Sequence, residues 1–208
     1  LERGEAAAEC LAAVRRSVEE RAASVIVTGT ATQSPGTRLI MNAAGEIVYA
    51  RDAEPALERL AEGALQRRES GRAGEFFVEW AGAPPAVAIF GAGDDARPLA
   101  EFADALGWHV TVADGRANLA RAERFPRAAR VGGVEAALAA MTPDDAAVVM
   151  THSYEQDRAI LLGLLQRELK YVGVLGPRAR TERLASDVAS ELGLEAEACL
   201  GRLRSPVG

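Results

Sequence analysis

At 208 residues the chain is long enough to bury a real core, and it has room for one domain or two. With 49% apolar and 26% charged residues it is no disordered polymer, and a net charge of -6 argues against a general nucleic-acid binder, which needs a surplus of Lys and Arg to neutralise phosphate. No apolar run approaches the ~20 residues that cross a bilayer and no signal-peptide pattern is visible; two cysteines, Cys10 and Cys199, form neither a disulfide framework nor a CxxC zinc site, so a reducing cytoplasm is expected.

The chain begins at Leu1 with no initiator Met, as a fragment or a trimmed sequence would. A first helix is predicted over 5–21, with Cys10, Val14 and Val18 at i, i+4 and i+8 and Leu11 beside them as its buried stripe. Cys10 is therefore expected to be a core residue rather than a reactive thiol. Two strands over 25–30 and 38–42 flank a polar Thr-Gln-Ser-Pro-Gly connection, and a turn at 43–46 leads into a third strand over 47–49. A helix over 54–68 is expected to turn Leu57, Leu60 and Leu65 inward, and 75–80 alternates as a strand does. Gly82-Ala83-Pro84-Pro85 breaks the pattern and is the expected linker between an α+β domain over 1–81 and a second domain over 86–208.

Strands and helices alternate after that linker. Ala86-Val87-Ala88-Ile89-Phe90 is an unbroken apolar run, as a parallel strand covered on both faces requires. A helix over 94–106 is expected to bury Leu99, Phe102, Ala103 and Leu106, and strands follow at 110–113, 130–131, 147–151 and 171–175. Helices are expected at 134–141, at 155–169 and through Leu184, Val188 and Leu192. Right-handed crossovers then predict an α/β, Rossmann-like doubly wound parallel sheet in the order 3-2-1-4-5.

Gly91-Ala92-Gly93-Asp94-Asp95-Ala96 follows the first of these strands and opens a helix, the context in which G-x-G-x-x-A acts as a dinucleotide fingerprint. Gly91 permits the tight turn, Gly93 lets a pyrophosphate approach the backbone, and Ala96 permits close helix packing. Asp114 ends the second strand about 20 residues later, where an acid either accepts from a ribose 2′-hydroxyl or caps a turn. Arg116 leaves NAD and NADP both open, because a nearby Arg accommodates a 2′-phosphate. Asp94 and Asp95 sit where a helix N-terminus attracts anions; they either cap the helix themselves or hold a cation-bridged phosphate or a hard metal ion. Thr151 and His152 follow the fourth strand, and Gly176, Arg178 and Arg180 follow the fifth. The topology brings both segments to the sheet edge that carries Gly91, the edge where ligands bind.

The second-domain segments VAIFGAGDDARPL (87–99), GWHVTVADGR (107–116), Arg124-Phe125-Pro126, VMTHSYEQD (149–157) and YVGVLGPRAR (171–180) together resemble the C-terminal domain of the XdhC/CoxI family. Arg202-Leu203-Arg204-Ser205-Pro206-Val207-Gly208 is similar to the start of that family's closing motif. In the first domain, Ser34-Pro35-Gly36-Thr37-Arg38-Leu39-Ile40-Met41 resembles a family Ser-Pro-Arg…Gly-Ala-Arg segment in shortened form. The family's Gly-Gly-Cys loop has no counterpart after Gly45-Glu46-Ile47, where the chain reads Val48-Tyr49-Ala50-Arg51-Asp52.

The resemblance implies an accessory protein that matures molybdenum hydroxylases such as xanthine and carbon monoxide dehydrogenases. Its ligand would be the molybdenum cofactor (molybdopterin) or a nucleotide, and it would assist cofactor sulfuration and insertion. The implied partners are the hydroxylase client and a cysteine desulfurase, with self-association as a homodimer expected from exposed strands. Two other classes stay open: an NAD(P)-dependent oxidoreductase on the same fold, and a nucleotide-sensing module without turnover.

Overall fold

A computed structural model describes residues 4–31 and 36–207. Ser34, Pro35 and Gly208, which carry part of the family resemblance, lie outside the described residues. The chain divides into two compact units, Leu1–Pro84 and Pro85–Gly208.

The first unit is an antiparallel sheet between two helices. Its strands are β1 (Ser24–Gly29), β2 (Arg38–Asn42), β3 (Ile47–Arg51), β4 (Gly71–Ala73) and β5 (Phe76–Ala81), in the order β3-β2-β1-β5-β4. Helix α2 (Pro55–Arg67) lays Leu57, Ala61 and Ala64 against Val25, Val27, Leu39 and Met41. On the opposite face α1 (Glu5–Glu19) meets Ile40 and Tyr49. The alternation of Leu39, Ile40 and Met41 between two cores is the period-2 pattern of a strand covered on both sides. β3 runs through Ala50 and Arg51 in register with Leu39 and Arg38, so continuous strand stands where the resemblance implies the Gly-Gly-Cys loop.

The second unit is a five-stranded, all-parallel sheet. β6 (Ala86–Phe90) lies at its centre between β7 (His109–Ala113) and β9 (Ala146–Val149), with β8 (Arg130–Gly132) and β10 (Tyr171–Val174) at the edges. Numbered within the unit this is the order 3-2-1-4-5 expected from the sequence. Helix α3 (Ala96–Ala105) covers one face. Helices α4 (Val134–Ala140), α5 (Tyr154–Leu165), α6 (Arg178–Leu192) and α7 (Ala196–Gly201) share the core cluster of the other. All five residues of β6 are buried, as a strand covered on both faces must be. After α7 the chain returns along β10: the Val174 N–H donates to the Arg204 carbonyl at 2.9 Å, and the Arg204 N–H donates to that of Val172.

Two helices turn only part of the expected stripe inward: Leu99 and Ala103, and Cys10 and Val14, pack against the cores as expected, but the other large side chains do not. In α3 the sheet-facing residues are Ala96, Ala100 and Ala103, while Phe102 and Leu106 are 70% and 73% exposed. The alanine seam lets the helix axis approach the sheet closely, and that rotates the longer side chains outward. In α1 the buried residues are Cys10, Ala13 and Ser17, and Leu11 and Val18 face out. Cys10 is buried as expected, with its Sγ 3.4 Å from Arg38 Nη1.

Candidate functional site

The site is built at the C-terminal end of the parallel sheet, where β6 gives way to the glycine loop. Gly91 has φ +122, and a Cβ on it would stand 2.4 Å from the Met150 carbonyl oxygen at the end of β9. Only glycine fits this place, on both conformational and steric grounds. The Gly91 N–H donates to the Ala113 carbonyl at 2.8 Å, and the Ala92 N–H donates to Asp114 Oδ2 at 2.7 Å. The loop is thus tied to β7 on one side and pressed against β9 on the other.

Past these anchors, the N–H groups of Gly93, Asp94 and Asp95 have no acceptor among the described residues. Neither aspartate caps the helix, so the expected self-capping is not what the structure shows. Asp94 Oδ1 is held 2.8 Å from Arg124 Nη2, and Asp95 Oδ2 lies 2.6 Å from His152 Nε2. Basic partners at hydrogen-bond distance win over the free helix end. The three N–H groups at the head of α3 are left without a protein acceptor among the described residues, at the half-exposed to exposed positions 93–95, the kind of helix end that attracts anions. His152 reaches Asp95 from a left-handed backbone conformation, φ +61, which a non-glycine residue adopts only where its surroundings hold it. Among the described residues no cluster of His, Cys, Asp and Glu could hold a metal ion, so the hard-metal alternative for the aspartates finds no ligand set.

Asp114 is 2% exposed and is the most heavily bonded side chain of the site. It accepts the Ala92 N–H, the Arg116 N–H at 2.8 Å, and a two-pronged contact from Arg116 Nε (2.9 Å) and Nη2 (2.8 Å). Burial pushes its carboxyl up, but the Arg116 side chain and the two backbone N–H groups outweigh that and hold it below its ordinary value.

Thr151 and Arg180 converge, but on a buried carboxylate rather than on open space. Asp157, fully buried on α5, accepts the Thr151 hydroxyl at 2.5 Å and the Thr151 N–H at 3.3 Å. Its Oδ2 lies 2.6 Å from Arg180 Nη1. Arg180 thus ties α6 to the end of β9, and its guanidinium also stands over the Tyr154 ring, 5.9 Å from the centroid. Gly176 has φ +120 and passes within 3.7 Å of Arg180 Nη1, measured from the Cβ it lacks. Arg178 is 75% exposed, its Nε 2.9 Å from Glu182 Oε1 one turn along α6.

Two site residues carry no signal of their own in the fingerprint. Arg124 donates from Nη1 to the Ala92 carbonyl at 2.9 Å, fastening the loop from its outer side. Its only sequence trace is the Arg-Phe-Pro triplet. Asp157 is legible in principle: it lies on the same helical stripe as Ile160, Leu161 and Leu164, and an acid there must have a partner. A separate groove of about 470 Å³ runs between β8 and α4, lined by Thr111, Val131 and Ala137 among others; none of its lining residues belongs to this site.

A central buried parallel strand, a G-x-G-x-x-A turn and an acid ending the next strand define a Rossmann domain. Residues 87–208 match the model of the XdhC Rossmann domain, and the chain belongs to the XdhC family. It is 38% identical over 114 residues to a protein of Bacillus subtilis (strain 168) described as a probable xanthine dehydrogenase subunit, covering 53% of this chain and 34% of that protein. It is 29% identical over 145 residues to the uncharacterized protein YqeB of Escherichia coli (strain K12), covering 67% of this chain and 26% of that one. The solved structure of a xanthine dehydrogenase from Bacillus halodurans is similar to it at 25% identity with a TM-score of 0.71, over 94% of this chain and 55% of that one. The chain therefore spans about a third or less of the two sequence relatives and just over half of the structural one.

Proposed function

We propose that the chain is an accessory factor for a molybdenum hydroxylase of the xanthine or carbon monoxide dehydrogenase type, and that its glycine-loop crevice holds a phosphate-bearing ligand. The observation that carries the reading is the set of unengaged N–H groups at Gly93, Asp94 and Asp95, beside a loop held in place by Asp114 and Arg124. The family match and the relatives named as xanthine dehydrogenase proteins support an association with such an enzyme, and the maturation role is the further step of this proposal.

The residues fit the phosphate end of such a ligand better than a metal end. Both cysteines are buried, Cys10 at 6% and Cys199 at 0% exposure, so neither offers a thiolate to molybdenum. Bound here, the molybdenum cofactor would bring the oxygen- and sulfur-transfer chemistry that the client hydroxylase needs; the chain's own residues grip and orient. The α3 N–H groups would receive the phosphate, and Arg178, exposed at the head of α6, would have to exchange its Glu182 partner to join them. His152 would release Asp95 or keep it as the ligand settles. Sulfuration by a desulfurase partner and a cytoplasmic location belong to the same reading.

The test is reconstitution. Purified chain plus a molybdenum cofactor source should raise the activation of a cofactor-free hydroxylase above that of cofactor source alone. If activation is unchanged and no pterin or nucleotide stays with the chain through gel filtration, the reading fails. The intact glycine fingerprint favours one second reading, a nucleotide-sensing module. There, calorimetry would find a nucleotide bound with no hydroxylase stimulated.

A further inference from the structure

In a dinucleotide fold the acid that ends the second strand ordinarily accepts the ribose hydroxyls. Asp114 holds that position, yet its lone pairs are already taken. Oδ1 receives the Arg116 N–H and Nε, and Oδ2 receives the Ala92 N–H and Arg116 Nη2. A carboxylate offers about four lone-pair sites, so a ribose diol can bond here only by evicting the guanidinium. Eviction would strip a side-chain charge partner from a carboxylate that is itself fully shielded from solvent.

The outward face of this corner is therefore Arg116 rather than Asp114. Its side chain is 44% exposed, and its Nη1 has no protein partner among the described residues. The guanidinium is held flat by two bonds to one carboxylate, which presents its remaining N–H groups as a fixed fork, a geometry suited to phosphate oxygens. The neighbouring backbone leaves room: around Gly115 an added Cβ would meet only Gln156 Nε2, at 3.8 Å. The Gln156 Oε1 is buried with no hydrogen-bond partner among the described residues, an acceptor available to a hydroxyl or amino group of whatever lies beside it.

We infer that the Asp114–Arg116 corner reads a phosphate on the ribose rather than the ribose diol, so that the crevice takes 2′-phosphorylated adenine nucleotides of the NADP type in preference to NAD. Asp114 acts as a positioning residue that braces Arg116, and Arg116 makes the discriminating contact. This rests on the nucleotide reading of the crevice, and the experiment separates the two.

Isothermal titration calorimetry of the full chain with NADP, NAD, 2′,5′-ADP and 5′-AMP gives four affinities. One charge-assisted contact predicts NADP over NAD, and 2′,5′-ADP over 5′-AMP, by about tenfold or more. Arg116→Gln should abolish both preferences; Arg116→Lys should retain part of them. Equal affinities for NADP and NAD in the wild-type chain overturn the inference while leaving a nucleotide site in place. So does a preference that survives Arg116→Gln. Failure of all four ligands to bind at millimolar concentration overturns both the inference and the nucleotide reading. The wild-type comparison decides the matter even if a variant fails to fold.

Discussion

Truncating Arg124 to alanine asks whether the glycine loop is held by its outer clamp. The side chain makes contacts of unequal worth. Its bond to the Ala92 carbonyl, at 2.9 Å, serves a residue that is 0% exposed, so removal leaves a buried acceptor unpaired at a cost of about 1–3 kcal/mol. A second bond, to the Leu119 carbonyl, is longer at 3.3 Å and adds less. The ion pair with Asp94 is shorter, but Asp94 is 88% exposed, and screened pairs of this kind are worth about 0–1 kcal/mol. Burial decides the ranking. Arg124→Ala should lower stability by roughly 2 kcal/mol, a fall in melting temperature of about 4–8 °C. Asp94→Ala should stay within ~0.5 kcal/mol of wild type. Urea unfolding measures both, and amide exchange at Gly91 and Ala92 should quicken in the first variant alone. Equal losses in the two variants would refute the reasoning, because the surface pair and not the carbonyl clamp would then carry the energy.

The buried Asp157–Arg180 pair makes a second contrast: Arg180→Ala leaves Asp157 uncompensated and should cost about 3–5 kcal/mol, whereas Arg178→Ala, exposed at 75%, should cost under ~0.5 kcal/mol in the same unfolding assay. Asp114 has a folded-state carboxyl value below its ordinary one, so its contribution is complete above about pH 5 and is lost as the pH falls through the folded value. Asp114→Asn should flatten the acid limb of a stability–pH curve below about pH 5 while lowering the plateau at neutral pH; an unchanged acid limb would count against it. Gly91→Ala combines a φ of +122 with a Cβ 2.4 Å from a backbone oxygen, and should destabilise by more than ~3 kcal/mol, seen as loss of soluble chain or an early thermal transition.

Backbone-level features are the readable ones. Gly91 announces a turn that no other residue makes, and the apolar block at 86–90 announces a doubly covered strand, so class and strand order follow from them. The helix faces are harder. Periodicity weights large apolar side chains, and α3 and α1 bury alanines, Cys10 and Ser17 instead, so the pattern points Phe102, Leu106, Leu11 and Val18 to the wrong side. β4 and α7, three and six residues long, are too short for any period to show. In the site, the positions of Asp114, His152 and Arg180 are legible and their partners are not. Charge pairing across loops depends on which strand ends meet: Asp95 finds His152 because β6 and β9 are neighbours, and Arg180 is drawn to Asp157, which only the folded α5 sets beneath it.

The alanine seam of α3 has a consequence for how this domain can change over generations. Ala96, Ala100 and Ala103 fix the height of the helix above the sheet, and the helix carries the glycine loop at its head. A single added methylene anywhere along the seam lifts both together. The loop is clasped to β7 through Ala92, so it cannot follow without breaking that clasp. Core and glycine loop therefore form one inherited unit, and variation is channelled to exposed side chains such as His152 and Arg178, which can be exchanged without moving a helix.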